Sequence, residues 1–363
     1  MADEYRLSLG EGNTPLIRSR HIGPALGLGN LYFKLENINP TGSYKDRFAA
    51  AALADLLSRG AHTCFATSSG NTGAALAAYS AAAGLRCFLL IVDGAPVGKM
   101  TQMRGYGADT LMVKGFGTDP EVSLDVMVQL RQLATQQRSD VQISAYSESP
   151  MGMSGVQTIA YELAESHCLR HVFVPAGGGG LALSIVEGFR VWKSQNADFS
   201  PPAIHCVQPS GNNTIAGALK SGATAATKIA ESTTRISGLQ VPNILDGDAV
   251  INGCRLSGGT GHLVADDVVY ASQHELAVKE GVYCEPAGAV ALAGLKSAIA
   301  TGTIVRGSKE TIVCLVTGHG FKDPASATRL ADSGGFSYFE STTETFSYIK
   351  GKLDDVRNNH DKN

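Results

Sequence analysis

The sequence has little charge, and what it has is nearly balanced. Asp, Glu, Lys and Arg make up 17% of 363 residues, with a net charge of −3. No basic block is present, which argues against nucleic acid as a partner. No apolar run reaches the length of a membrane span, and the opening Met-Ala-Asp-Glu-Tyr does not read as a signal peptide. The seven cysteines (64, 87, 168, 206, 254, 284 and 314) include no Cys-x-x-Cys pair. Cys87, Cys206 and Cys314 lie in apolar runs, where buried free thiols are expected, so a cytoplasmic protein without disulfides or a zinc site is the reading. Repeats and low-complexity linkers are also lacking. What remains is 44% apolar residues over a length that suits two domains better than one.

Glycine, by contrast, is plentiful: 42 of 363 residues, against an average usage of roughly 7%. Several glycines follow strand-like runs, where backbone approaches ligands. Those runs are Thr63–Thr67, Cys87–Val92, Leu111–Val113, His171–Pro175, Ala203–Val207 and Thr311–Val316. Helical stretches alternate with them: Lys45–Arg59, Asn71–Ala83, Pro120–Gln137, Ser154–Glu165, Leu181–Lys193, Ala271–Lys279 and Ala287–Ala300. Gly60 and Gly84 follow helices at the C′ position. Apolar strands separated by helices predict an α/β protein with mostly parallel sheets covered on both faces. Residues 209–265 read as long loops with short helices. Phe346, Ile349, Leu353 and Val356 are spaced for one amphipathic C-terminal helix, whose stripe would serve packing.

Four stretches carry chemistry. In Thr41-Gly42-Ser43-Tyr44-Lys45-Asp46-Arg47, a glycine-containing turn delivers a lysine to the start of an alanine-rich helix. A lysine near a helix start is ordinarily solvated charge. Here its neighbours are small or hydroxylated, so a ring could reach it, and lysine forms Schiff bases with carbonyl cofactors such as pyridoxal phosphate. Thr67-Ser68-Ser69-Gly70-Asn71-Thr72-Gly73 joins a strand to a helix N-terminus, a site for an anion such as a carboxylate. A simple cap would not need two serines followed by Gly-Asn-Thr-Gly. Asn71 adds an amide that could donate to a phenolate oxygen.

Gly177-Gly178-Gly179-Gly180-Leu181-Ala182 opens another helix, and four side-chain-free residues let backbone close around a phosphate. A nicotinamide loop competes, since Gly177, Gly179 and Ala182 satisfy Gly-x-Gly-x-x-Gly/Ala. That reading wants an acidic residue at the end of the next strand, where Gln208 stands, so a phosphate cradle of another kind is preferred. Finally, Thr317-Gly318-His319-Gly320 follows an apolar strand, placing a hydroxyl where α/β proteins meet ligands. His319, between glycines and without an evident carboxylate, reads as structural or gating rather than as a catalytic base.

Together these stretches resemble the fold type II (tryptophan synthase β-like) pyridoxal phosphate enzymes, and within them the threonine synthases. Leu9-Gly10-Glu11-Gly12-Asn13-Thr14-Pro15-Leu16, Gly281 to Ala287 and Lys322-Asp323-Pro324 add to the likeness, which runs from about residue 9 to 325. The resemblance implies two three-layer α/β/α domains. Residues 40–153 would form a smaller mobile domain, residues 1–39 and 154–335 a larger cofactor-binding domain, and residues 336–363 a C-terminal tail. It implies Lys45 as Schiff-base lysine and general acid/base, and Asn71 on the cofactor's 3′-oxygen. Ser68, Ser69, Gly70 and Thr72 would hold the substrate carboxylate. Gly177, Gly178, Gly179, Gly180 and Leu181 would hold the cofactor phosphate, and Thr317 would meet the ring nitrogen. The implied activity is a lyase acting on a small amino acid, first of all threonine formation from O-phosphohomoserine, in a homodimer. A serine/threonine ammonia-lyase, a β-replacement enzyme and a non-catalytic cofactor-binding sensor are the alternatives.

One stretch departs from the pattern. Where threonine synthases usually read Asn-Ser-x-Asn-Pro-x-Arg around the substrate phosphate, this chain has Tyr146-Ser147-Glu148-Ser149-Pro150-Met151-Gly152. Gly152 replaces the arginine and Glu148 adds negative charge. A lost charge-assisted hydrogen bond costs roughly 1.5–3 kcal/mol, so Tyr146, Glu148, Met151 and Gly152 become the candidates for substrate discrimination.

Overall fold

The computed structural model describes residues 3–95, 97–166, 169–332 and 335–360. The chain forms two compact units, one ending at Pro324 and one beginning at Ala325. The first opens with β1 (Leu16–Arg18), α1 (Ile22–Ala25) and β2 (Leu31–Leu35). It continues through α2 (Lys45–Ser58), β3 (Thr63–Thr67), α3 (Asn71–Ala83), β4 (Arg86–Ile91) and α4 (Thr101–Gly105). Next come β5 (Asp109–Met112), α5 (Pro120–Gln136), β6 (Val141–Gln142), α6 (Pro150–Val156) and α7 (Thr158–Ser166). They are followed by β7 (Leu169–Pro175), α8 (Gly180–Gln195), β8 (Ala203–Pro209), α9 (Ala216–Lys220), α10 (Gly247–Leu256) and β9 (Gly261–Val264). The unit closes with α11 (Asp266–Glu280), α12 (Pro286–Ala300) and β10 (Thr311–Val316). The second unit holds the rest of α13 (Pro324–Asp332) and α14 (Thr342–His360).

Two sheets result, a six-stranded one in the order β1-β2-β10-β7-β8-β9 and a four-stranded one in the order β5-β4-β3-β6. All pairings are parallel except β1 with β2. The apolar runs are therefore buried on both faces, as in β10, where Ile312 to Val316 are all buried. Helix α12 reads Pro-Ala-Gly-Ala-Val-Ala-Leu-Ala-Gly-Leu, and it is buried almost all round. Helix ends follow local chemistry: Gly84 closes α3 in the left-handed region at φ 68°, and Pro120 occupies the first turn of α5 behind an Asp119 cap.

Several expectations need correction. The stretch Ser154–Glu165 is two helices, α6 and α7, because Pro150 starts a helix early. Residues 209–265 contain the ten-residue α10 and strand β9, so they are more than loops. β5 begins two residues before the predicted Leu111. In α14 the helix is present, but Phe346, Ile349 and Leu353 are exposed rather than packed; the Val356 side chain lies outside the described residues, as does Cys168. The six other cysteines are buried free thiols. Among the described residues no helix is long and apolar enough to cross a membrane.

A buried ion network anchors α2. Arg47 forms paired hydrogen bonds with Glu36 (Nε to Oε2 2.8 Å, Nη2 to Oε1 2.8 Å) and also with Glu162. Lys34 donates to Glu162 as well, so two cations face two carboxylates. Burial alone would lower the Arg47 guanidinium, but Glu36 and Glu162 more than reverse it. Arg47→Met leaves buried Glu36 and partly buried Glu162 short of a cation and should cost about 3–5 kcal/mol. Urea unfolding monitored by circular dichroism measures it, and a loss under 1 kcal/mol would mean the network is no stronger than a surface pair.

A second polar row crosses the larger sheet. Glu310 accepts from His171 Nε2 (3.3 Å), His171 Nδ1 meets His205 Nε2 (3.0 Å), and His205 Nδ1 meets His262 Nε2 (3.1 Å). The carboxylate only accepts, so it fixes each ring as the Nε2–H tautomer when neutral. Burial, then the neighbouring imidazoles, pushes His205 down to about 3; burial, then Lys220, pushes His262 down to about 4. Their unfolded forms bind protons from about pH 6.5 downward while the folded forms do not. Stability is thus fully present above pH 6.5 and falls as pH drops toward 4. In His205→Leu the slope of unfolding free energy against pH over that window should be shallower; an unchanged slope would exclude His205 from the acid response.

Candidate active site

The carboxyl ends of four strands converge on one cavity of about 1300 Å³. β3 delivers Ser68 to Thr72, β6 delivers Ser144, β7 delivers Gly177 to Leu181, and β10 delivers Thr317 and His319. Lys45 lines it from the start of α2. The cavity therefore brings together every residue that sequence reading assigned to the cofactor or to the substrate carboxylate.

The turn before Lys45 is stitched to the loop after β10. Tyr44 N donates to Thr317 O (3.1 Å), and His319 N donates to Gly42 O (2.8 Å). Gly42 sits at φ 91°, a left-handed conformation that needs glycine. Asp46, in the first turn of α2, accepts from Thr41 N (2.8 Å) and from the Thr41 hydroxyl. Burial pushes the Asp46 carboxyl up to about 6, against these hydrogen bonds and nearby Lys322. The Lys45 amine itself donates to Ser144 Oγ at 2.6 Å and stands 4.6 Å from the centre of the Tyr44 ring.

Two helix N-termini open into the cavity. At α3, Ser68 Oγ accepts from Gly70 N and Gly73 N, both at 3.2 Å, which curls the loop. Gly73 is required there, since a Cβ would stand 2.5 Å from Ser68 O. At α8, Gly179 lies at φ 100°. A Cβ on Gly178 would be 2.8 Å from Leu245, and one on Gly180 would be 2.8 Å from Ser144 O. The loop is thus packed too closely against its neighbours for side chains, leaving backbone at a helix start whose dipole favours an anion. With a lysine amine across the cavity, these residues fit pyridoxal phosphate: anion cradle, ring space and imine-forming amine.

Sequence reasoning missed four cavity residues. Glu285 accepts from Asn71 Nδ2 at 2.7 Å, orienting the amide. It reaches Asn71 only because Gly318 lacks a side chain; a Cβ there would be 2.1 Å from Glu285 Oε1. Its place before Pro286 at a helix start was a usable signal. Lys322 donates to Thr41 O (3.0 Å) and Gln102 Oε1 (2.6 Å). Burial lowers its ammonium, opposed by Glu285 and Asp46. Ser144 follows a two-residue strand and had no pattern to reveal it, and Gln102 had none either. His319 accepts from Phe321 N (3.3 Å), and partial burial with Lys322 nearby lowers it.

The four specificity candidates do not line the cavity. Tyr146 bonds Gln157 Nε2 through its hydroxyl (2.6 Å), Glu148 pairs with exposed Arg131, and Met151 is exposed. Gly152 faces helix α2, where a Cβ would lie 2.5 Å from the Phe48 ring. With Gly155, whose Cβ would be 2.2 Å from Arg47 O, it lets α6 and α2 touch. Gly152 is thus a packing residue. Gly152→Arg should destabilise the protein by about 1–3 kcal/mol through overpacking and leave use of phosphorylated substrates no better. Thermal unfolding with parallel product assays checks this, and a gain in phosphohomoserine turnover would reverse the assignment.

Comparison with known proteins agrees with this geometry. Residues 7–318 match the family model described as pyridoxal-phosphate dependent enzyme. A threonine synthase of Methanosarcina acetivorans is 34% identical over 88% of this chain and 77% of its own length. One from Methanocaldococcus jannaschii is 33% identical over 91% of this chain and 80% of its own. Among solved structures, maize serine racemase aligns with TM-score 0.72 at 20% identity, covering 95% of this chain and 94% of its own. Threonine deaminase isoform 2 from Solanum lycopersicum aligns with TM-score 0.71 at 21% identity, covering 89% and 88%. These likenesses establish the fold as type II, and the nicotinamide reading of the glycine loop falls away. The chain belongs to the pyridoxal-phosphate dependent enzymes, in the company of threonine synthases.

Proposed function

We propose that the protein is a cytoplasmic, homodimeric lyase that converts O-phosphohomoserine and water to threonine and phosphate. The observation that carries the cofactor chemistry is the Lys45 amine, in one cavity with the α3 N-terminus and the glycine loop; the choice of reaction is supported by the likeness to threonine synthases. Bound there, pyridoxal phosphate supplies an electron sink for bond breaking at the substrate's α carbon.

The chain's own residues supply the rest. Gly177 to Leu181 hold the cofactor phosphate with backbone N–H groups, and Asn71, oriented by Glu285, donates to the 3′-oxygen. Thr317 offers the ring nitrogen a neutral hydroxyl, which keeps it largely unprotonated and favours elimination and addition over transamination. Ser68 to Thr72 receive the substrate carboxylate at a helix N-terminus. Lys45 takes and returns protons at the substrate carbons, a role worth typically 10²–10⁴-fold. Residues 40–153 act as a smaller domain that closes over the larger one and excludes water.

A second reading, deamination of threonine or serine, is favoured by one observation: the position of the family's phosphate-binding arginine is closed by Gly152 against Phe48. Product analysis with O-phosphohomoserine and L-threonine separates the two. Threonine formed from the first supports synthesis, whereas 2-oxobutanoate from the second supports deamination. In Lys45→Ala the covalent link to pyridoxal phosphate should vanish and turnover should fall at least about 10³-fold. A borohydride-stable adduct persisting in that variant would overturn the role of Lys45.

A further inference from the structure

The Lys45 amine ends on a hydroxyl, not on a carboxylate. Ser144 Oγ takes it at 2.6 Å and lies 3.0 Å from Thr72 Oγ1, and all three residues line the cavity. A carboxylate at this place would bind an ammonium and hold it charged. A hydroxyl both donates and accepts. It can accept from the ammonium while donating to Thr72, or donate to the neutral amine while accepting from Thr72. The hydrogen-bond direction reverses along both links, with no side-chain movement, when the amine gains or loses a proton.

The two hydroxyls come from different parts of the fold. Thr72 is the second residue of α3, inside the loop assigned to the substrate carboxylate, whereas Ser144 follows β6. The Ser144 segment is itself fixed: Asp246 accepts from Tyr146 N (2.8 Å) and Ser147 N (3.1 Å), and Ile143 N donates to Ser149 Oγ (3.1 Å). Its carbonyl also abuts Gly180 of the glycine cradle. Ser144 is therefore rigidly placed beside the amine.

We propose that Ser144, backed by Thr72, is a positioning residue that holds the Lys45 amine in both of its protonation states. The proposal rests on the reading of Lys45 as the acid/base residue. In the holoenzyme, Ser144→Ala should slow exchange of the α-proton of a bound amino acid for solvent deuterium by roughly 10- to 100-fold, less than the 10²–10⁴-fold that a proton-transfer group itself supplies. KM should change less than about twofold, because Ser144 itself is not among the residues assigned to the substrate carboxylate. The pH profile of exchange should shift, and Ser144→Thr, which restores a hydroxyl, should recover most of the rate.

A second readout does not use turnover: the rate at which the cofactor-free full chain forms its covalent link with added pyridoxal phosphate, followed by absorbance across pH. That pH dependence should also shift in Ser144→Ala and return in Ser144→Thr. Wild-type rates and pH profiles in Ser144→Ala, or equal damage in Ser144→Ala and Ser144→Thr, would overturn the proposal. Lys45→Ala serves as the separate control. If it still links the cofactor, the underlying reading of Lys45 fails, whatever Ser144 does.

Discussion

The Arg47 guanidinium, clamped between Glu36 and Glu162, is the contact on which the site depends. It sits two residues after Lys45 and bonds to the segment after β2 and to α7. Two cations and two carboxylates balance there, with Lys34, Glu36 and Arg47 buried and Glu162 partly so, and every partner gains a charge-assisted hydrogen bond. Such a group is costly to break yet adds little over apolar packing. Its value is directional, because it fixes the angle at which α2 presents its first residue to the cavity. The close approach of α2 to α6, permitted by Gly152 and Gly155, fixes that helix from another side.

Around that fixed amine the fold gathers partial positive charge. Parallel strands end at one edge of their sheet, so β7 and β10 present their loops side by side, and the β3 loop of the smaller sheet lines the same cavity. Two of those loops open helices, α3 and α8, whose unpaired backbone N–H groups suit a carboxylate and a phosphate. Glu285 supplies a counterweight, since it accepts from Asn71 and its charge opposes the lowering of the Lys322 ammonium by burial. The cavity's polar groups are thus held by other protein groups, which is what preorganisation requires.

The motifs with a local cause were legible in the sequence. Lys45 after a glycine turn, Ser68 to Thr72 before a helix, and Gly177 to Leu181 after an apolar strand each announce a backbone geometry that neighbouring residues impose. The helix break near Gln157 and the ten-residue α10 were not legible, because Pro150 and the packing of Val250, Ile251 and Cys254 outweighed a weak periodic signal. The packing role of Gly152 was not legible for a related reason. A glycine replacing an arginine shows only a lost ligand in one dimension, whereas in three it is also the surface that lets two helices touch.

The sequence by itself determined the parallel α/β class, the amine, the two helix starts that face the cavity and the likeness to pyridoxal phosphate enzymes, since each is written in residues close together in the chain. Only the tertiary structure decided that Ser144 meets Lys45 across 99 positions and that Glu285 meets Asn71 across 214. Such pairings are set by which strands lie side by side and how closely helices approach. That depends on the packing of the whole core, which no local pattern encodes.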